Sequence, residues 1–394
     1  MGKRAANKTK SYLQRKILPS TILIWLIIGF FLGTGLGNFI FNQQKNNVVV
    51  LSLSYSSEKS SWISQSSELF LQYWELKQKD DPTLKDIALD FQPYGSGDSL
   101  IALLNGEIKP VIWSPASNIW IPLLNAKWMD YTKKSIPIAP NYTRIIFSPV
   151  VIATWENFYT QYNITGLNDL HDLIVNNPGL VNLAHTDPTS SNSGFMATIM
   201  MVSAYLGLET ENLTLDNIYD QNLAQWMSEL ESAAILYGKS TGFLGRYMIS
   251  QGPDALQVTI LYENLIKDNT EKAQENWNQK LMAIYPVEGA LFSDHPFCIL
   301  DADWVSEDQK IVAQEYLKFL QQKTMIERAI EVGFRPINSS WLQDPEIAIL
   351  YNSTFNWNNG VTPNPSQIRE IFPPTDGNVI ARIPDLWLKT RNRI

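Results

Sequence analysis

The chain has 394 residues, of which 45% are hydrophobic and only 18% charged, and it contains thirteen Trp. Such a chain can build two core-forming domains and is not disordered. A net charge of -8 disfavours non-specific nucleic-acid binding. The single cysteine, Cys298, excludes an intrachain disulfide framework and a cysteine-rich zinc site, and three histidines leave little for His-rich metal chemistry.

The charge is uneven. Residues 1–16 carry six basic side chains and no acid, so the remainder carries -14. An apolar run over residues 17–41 follows, with no charge until Lys45. Its core, 22–41, is twenty residues, about 30 Å as a helix, which matches the hydrocarbon thickness of a bilayer. We expect a cytoplasmic basic tail (1–16) and a single transmembrane anchor in the cytoplasmic membrane (17–41). The positive-inside rule then puts the N-terminus inside and everything after Lys45 outside. A cleaved signal peptide is the alternative, although its apolar region is usually about 7–15 residues long and no clear A-x-A site is present. Gly29, Gly33 and Gly37 share one face of the anchor, where a second helix could approach closely.

After a polar linker at 43–47, residues 48–54 read as a buried first strand, and 60–79 as a helix with apolar positions at Trp62, Ile63, Phe70 and Trp74. A strand at 87–91 leads into the turn Tyr94-Gly95-Ser96-Gly97-Asp98 and a helix over 99–105. A third strand at 111–113 is followed by Ser114-Pro115-Ala116-Ser117 and a helix from Asn118. Residues 145–154 are a long apolar run, 166–175 a short helix, and 181–184 a strand. The polar turn 186–194 then precedes a strongly apolar helix over 195–206. Residues 223–237 read as a helix ending at the Gly-rich turn 238–242, with strands at 258–262, 283–286 and 297–300 and helices at 306–322 and 325–332. The stretch after Asp344 is rich in Pro and Asn and is expected to wrap the surface, ending in an amphipathic piece at 383–388. Strands alternating with helices across short loops imply α/β units with parallel strands.

Three polar turns lie where a strand hands over to a helix: Ser56-Ser57, Ser96-Gly97 and Ser190 to Gly194. Helix N-termini leave N–H groups unpaired and carry a positive dipole end, so hydroxyls beside them can hold an anion or a polar ligand without any fixed charge. Each serine also reads as an ordinary N-cap. Three such turns in one α/β chain point to a crevice at the carboxyl ends of strands.

At these residues the chain resembles the extracellular solute-binding proteins of the type 2 periplasmic-binding fold, in particular the molybdate-binder-like group often linked to von Willebrand factor A domains. The matching stretches are Gly95-Ser96-Gly97 with Trp113 to Ser117, His185-Thr186-Asp187-Pro188 through Gly194, and Tyr237-Gly238 with Ser240 to Phe243. They continue in order through Tyr262-Glu263, Tyr285 to Gly289, Ser293 to Pro296, Ala302 to Val305 and Gly333-Phe334-Arg335-Pro336. The likeness covers about residues 48–390, and no von Willebrand domain follows in this sequence.

The resemblance implies an α/β fold of two lobes with two hinge crossovers, near 145–154 and 283–289, preceded here by the transmembrane helix. Lobe one would be 48–147 with 287–345, lobe two 148–286, and 346–394 a C-terminal surface-wrapping segment. A small polar or anionic ligand, such as an oxyanion, would sit between the lobes, held by Ser57, Ser96, Gly97 and Ser114 from one and Ser190, Ser191, Tyr237 and Tyr262 from the other. The resemblance implies delivery to an ABC-type permease, no cofactor and no catalysis. A ligand-independent scaffold or signalling ectodomain is the alternative role.

Other readings of the same residues are weaker. His185 and His295 each lie near an aspartate, Asp187 and Asp294, so a metal site is conceivable, but hydrogen-bonded structural histidines are the commoner outcome. Glu263 and Glu288 could form an acid–base pair as in glycoside hydrolysis, but structural ion pairs are commoner. Arg335 could meet an anionic ligand or an internal acid. No P-loop or H-E-x-x-H string occurs.

Overall fold

The structure, a computed structural model, describes residues 48–391. The expected basic tail and the membrane anchor at 17–41, with its glycine face, lie outside the described residues. Among the described residues no helix is long and apolar enough to cross a membrane.

Among the described residues twelve short strands carry the fold: β1 (Val48–Ser56), β2 (Asp86–Tyr94), β3 (Ile112–Ser114), β4 (Ile146–Trp155), β5 (Leu183–Thr186), β6 (Ala234–Gly238), β7 (Val258–Tyr262), β8 (Leu281–Ile284), β9 (Ala290–Ser293), β10 (Cys298–Ile299), β11 (Arg335–Pro336) and β12 (Glu370–Ile371). They form two sheets. The first has four strands in the order β10-β3-β1-β2, with β1 and β3 parallel and β10 antiparallel to β3. The second runs β12-β9-β4-β7-β5-β6, with β8 and β11 also paired to β4. Its parallel pairs are β7-β5-β6 and, at the other edge, β12-β9. The ten-residue β4 is antiparallel to all its partners: its first residues meet β11 and β9, and its later ones meet β7 and β8.

The first sheet is covered by the helix Ser60–Asp80, whose Trp62, Ile63, Phe70 and Trp74 are buried as their spacing predicts. Trp62 lies between Phe297 and Phe334, and Phe70 packs edge-on to Tyr316 of the helix Glu307–Leu320. That second helix is opened by a capping box in which Ser306 and Gln309 bond each other's backbone N–H. In the second half the helix Asn192–Leu206 is buried from Asn192 to Ala204, which explains why its sequence is apolar all round.

Two expectations change. The helix expected over 223–237 stops at Glu231, within Gln221–Glu231, and Ala234 to Gly238 form β6. The run Ala-Ala-Ile-Leu-Tyr suits either period, and parallel pairing with β5, where His185 lies opposite Tyr237, decides for the strand. The segment after Asp344 is built into the fold rather than laid over it. Asp344 caps the helix Pro345–Thr354, β12 extends the second sheet beside β9, and the helix Gly377–Arg391 buries Val379, Ile383, Leu386 and Trp387. That last helix packs against Leu215–Tyr219 and Gln221–Glu231.

Candidate functional site

Parallel strands deliver their carboxyl ends, and the helices that follow them, to one edge of each sheet. In the first half β1 ends at Ser56 before the turn Ser57-Glu58-Lys59, and β2 ends at Tyr94 before the helix Ser96–Leu104. In the second half β5 leads through 187–191 into Asn192–Leu206, β6 into Thr241–Gln251, and β7 directly into Glu263–Trp277. These ends meet along one seam. Gly97 N donates to Ser190 O at 2.9 Å, Asp98 N to the same oxygen at 3.2 Å, and Gly242 N to Ser57 Oγ at 3.0 Å. Asn264 Nδ2 reaches Glu58 O at 3.3 Å, and Trp120 Nε1 reaches Asn192 Oδ1 at 2.7 Å.

Glycine is required at this seam because backbone approaches backbone. A Cβ on Gly97 would stand 2.2 Å from Thr189 O, one on Gly95 2.4 Å from Ser190 O, and one on Gly242 2.5 Å from Ser57 O. The turns that follow the strands of the first sheet and those that follow the strands of the second are therefore in direct contact.

Beneath the seam lies a buried polar floor. Asn192 Nδ2 donates to Tyr262 Oη at 2.7 Å and to Ser293 Oγ at 3.0 Å. Lys59 is fully buried, and its ammonium donates to Ser114 Oγ at 2.5 Å, Ser114 O at 2.8 Å and Pro115 O at 3.2 Å. Burial pushes that ammonium down to about 7, against the pull of Glu58, Cys298 and Asp294. Burial alone would raise the Glu58 carboxyl, but His295, Lys59 and a 2.5 Å bond from Ser56 Oγ outweigh it and hold the group below the usual carboxylate range. His295 sits in the left-handed backbone region at φ +41, fully buried. Its Nδ1 lies 3.2 Å from Glu58 Oε1, yet neither ring nitrogen has a hydrogen-bond partner. Desolvation lowers its affinity for a proton. Cys298 is buried nearby and its thiol is pushed up to about 12, so it is inert.

Seven of the eight residues expected from the sequence lie at this seam or on its floor. Ser57, Gly97 and Ser190 make the crossing bonds given above. Ser96 Oγ accepts from Ala116 N at 3.0 Å, Ser191 Oγ lies 3.2 Å from Thr241 Oγ1, and Ser114 and Tyr262 belong to the floor. Tyr237 lies elsewhere. Its hydroxyl donates to Glu231 at 2.8 Å, in a cluster with His185 and Trp387 that fastens the C-terminal helix.

The remaining candidates are engaged in structural pairs. His185 bonds Glu231 and Thr186 O, whereas Asp187 caps its own turn through Thr189. Glu288 accepts from Asn168 N and Leu167 N at a helix start, and Glu263 is held bidentately by Arg335 at 2.7 and 2.8 Å. The two carboxylates thus serve separate contacts, and Arg335 has an internal partner. Trp113 is wholly buried and donates to Ser99 Oγ, so it belongs to the core.

Sequence reasoning missed Glu58, Lys59 and Asn192, and it weighed His295 only as a metal ligand or a hydrogen-bonded structural histidine. The available signal was a charged pair, Glu58-Lys59, set directly between a buried strand and an apolar helix. The Gly-rich turn Gly238-Lys239-Ser240-Thr241-Gly242, which that reasoning took to hold no nucleophile motif, does have the G-x-S-x-G spacing and joins a strand to a helix. A nucleophilic serine there needs a strained turn and a base. Ser240 is extended at φ -153, and the rings of His171, His185 and His295 face Glu229, Glu231 and Glu58 instead.

No protein-family model and no curated protein matches the sequence. Solved structures do match the fold. A substrate-binding protein of an ABC transporter from Bradyrhizobium japonicum superposes with a TM-score of 0.57 at 12% identity, covering 87% of this chain and 99% of that one. A periplasmic thiamin-binding protein gives 0.55 at 12% identity, covering 87% and 96%. The periplasmic binding protein AfuA of Actinobacillus pleuropneumoniae, with fructose-6-phosphate bound, gives 0.52 at 14% identity, covering 87% and 96%. The chain has the α/β, two-sheet fold of periplasmic and ABC-transporter substrate-binding proteins.

Proposed function

We propose that the chain is a membrane-anchored, extracytoplasmic solute-binding protein that takes a small polar or anionic ligand between its two halves and presents it to an ABC-type importer. The halves are those read from the sequence, 48–147 with 287–345 and 148–286, turning about the crossovers near 145–154, in β4, and 283–289, between β8 and β9. One observation carries this reading: hydroxyl- and N–H-bearing turns from both sheets converge on one seam, as in the Gly97 N to Ser190 O bond of 2.9 Å. The fold supports it, since proteins of this fold hold guests such as thiamin and fructose-6-phosphate. The uncharged stretch at 17–41 behind a +6 tail supports the anchor.

The test is a thermal-shift and calorimetric screen of the full chain against molybdate, sulfate, phosphate, fructose 6-phosphate, thiamin, sugars and amino acids. Ser96→Ala and Ser191→Ala should each abolish a hit at the seam. Unchanged affinity in both would move the site elsewhere.

A second reading, a scaffold or signalling ectodomain that shuts without a guest, is favoured by Lys59. Its ammonium already occupies the oxygens of Ser114 and Pro115 at the end of β3, so these groups are not open to a guest. Purification from membranes separates the two: a co-purifying permease and ATPase support transport, and other partners support the scaffold.

A further inference from the structure

Beside the seam, where β4, β9 and β12 come together, lies a cavity of about 320 Å³. Its apolar wall is a stacked pair, Phe147 and Phe292, with ring centroids 5.5 Å apart and planes 11° from parallel, and Phe372 stands at the rim. Three charged side chains share that wall: Arg144, Asp294 and Glu370. None has its charge well matched. The Arg144 guanidinium makes no hydrogen bond among the described residues, and its nearest acid is Asp294 Oδ2 at 3.7 Å. Asp294 Oδ1 accepts from Asn118 N at 2.8 Å, but Oδ2 is buried without a hydrogen-bond partner. Glu370 has neither a hydrogen bond nor an ion pair among the described residues. Desolvation raises the carboxyls of both Asp294 and Glu370, in Asp294 against the opposing pull of Asn118 N and Arg144, and a bound cation would relieve that penalty.

We propose that this cavity binds a small zwitterion with an apolar side chain, an α-amino acid of the leucine or phenylalanine kind. Arg144 takes the carboxylate, Asp294 and Glu370 take the ammonium, and the Phe147–Phe292 pair takes the side chain. The charge pattern selects this class. An amine alone would face Arg144 as a like charge, and an acid alone would face two carboxylates, so only a ligand of both signs matches all three groups. The size and the make-up, an apolar wall with a few converging polar groups, are those of a small-molecule site. The site is separate from the seam: Ser57, Ser96, Ser190 and Ser191 do not line it.

Calorimetry on the full chain with L-phenylalanine and L-leucine tests the assignment. Phenethylamine and 3-phenylpropanoate serve as probes lacking the carboxylate and the ammonium. At least one amino acid should bind, and each one-charge probe should bind at least tenfold more weakly than L-phenylalanine. Arg144→Gln should remove the preference over phenethylamine, and Glu370→Gln should reduce the preference over 3-phenylpropanoate. Both residues are surface-accessible, so both variants should fold, and Ser96→Ala and Ser191→Ala should leave this binding unchanged. The assignment falls if neither amino acid binds, if all three phenyl probes bind equally, or if Arg144→Gln and Glu370→Gln bind like the wild type. Binding lost in Ser96→Ala and Ser191→Ala but kept in the Arg144 and Glu370 variants would place the guest at the seam instead.

Discussion

Lys59 holds its ammonium in a fully buried pocket of oxygens, and this has a consequence for stability. Its folded-state affinity for a proton is pushed down to about 7, from an ordinary value near 10.5. Between those pH values the unfolded chain binds a proton that the folded chain does not, so stability rises with pH across that window, by up to about 1.4 kcal/mol per pH unit for one proton. Urea unfolding of the wild type and of Lys59→Met at pH 7, 8 and 9 should show the wild type gaining stability relative to the variant at each step. Parallel curves would mean that Lys59 is not desolvated as described. A second residue-scale prediction concerns Glu263 and Arg335, both fully buried and bidentately paired, with Tyr285 and Tyr351 adding hydroxyl contacts. Removing one partner leaves the other charge buried and unpaired, so Glu263→Gln should lower the unfolding free energy by about 3–5 kcal/mol in the same urea assay. An effect under about 1 kcal/mol would contradict a buried pair. At this scale the sequence showed the serine turns, because hydroxyls and glycines at strand ends carry a local signal. Lys59, Asn192 and His295 were not legible, since their roles depend on neighbours as distant along the chain as Ser114, Tyr262 and Glu58.

Among the elements, backbone geometry governs the same seam. It depends on glycines that no side chain could replace without pushing the turns apart, as the 2.2 Å and 2.5 Å approaches at Gly97 and Gly242 show. Gly97→Ala should therefore loosen the contact between the turn at 187–191 and the helix start at Ser96, and Gly242→Ala the contact between the helix start at Thr241 and the turn at Ser57. Hydrogen exchange should quicken at the amides of positions 97 and 98, which donate across the seam, and stay slow in the core strand β4. Unchanged exchange at those amides would show that the turns do not touch in solution. Strand and helix order was readable from the alternation of apolar runs, and the parallel pairs β1/β3 and β5/β7 follow from it. The β6 strand was hidden because five residues of mixed period sit directly after a helix, and only the β5 ladder resolves them. The C-terminal helix was under-read because Pro384 interrupts its pattern, although Trp387, Ile383 and Val379 still bury one face.

At the scale of the whole molecule, two sheets bring their strand ends to one line, and a charged, aromatic cavity lies beside it. Pattern reading could anticipate the sheets and the line, because strand ends in α/β folds gather at one edge. It could not anticipate the contacts across the seam or the cavity, which are set by the C-terminal β12 beside β9 and by the packing of Phe147 on Phe292. The central claim is that the halves part and shut at the serine seam around a guest. Its most direct test is a pulsed spin–spin distance measurement between labels at Leu76→Cys and Ile235→Cys, exposed positions in the two halves, with buried Cys298 left unlabelled. The free chain should give a longer and a shorter distance, with a binding ligand favouring the shorter and Gly97→Ala the longer. A single distance that neither a ligand nor Gly97→Ala changes would contradict the claim.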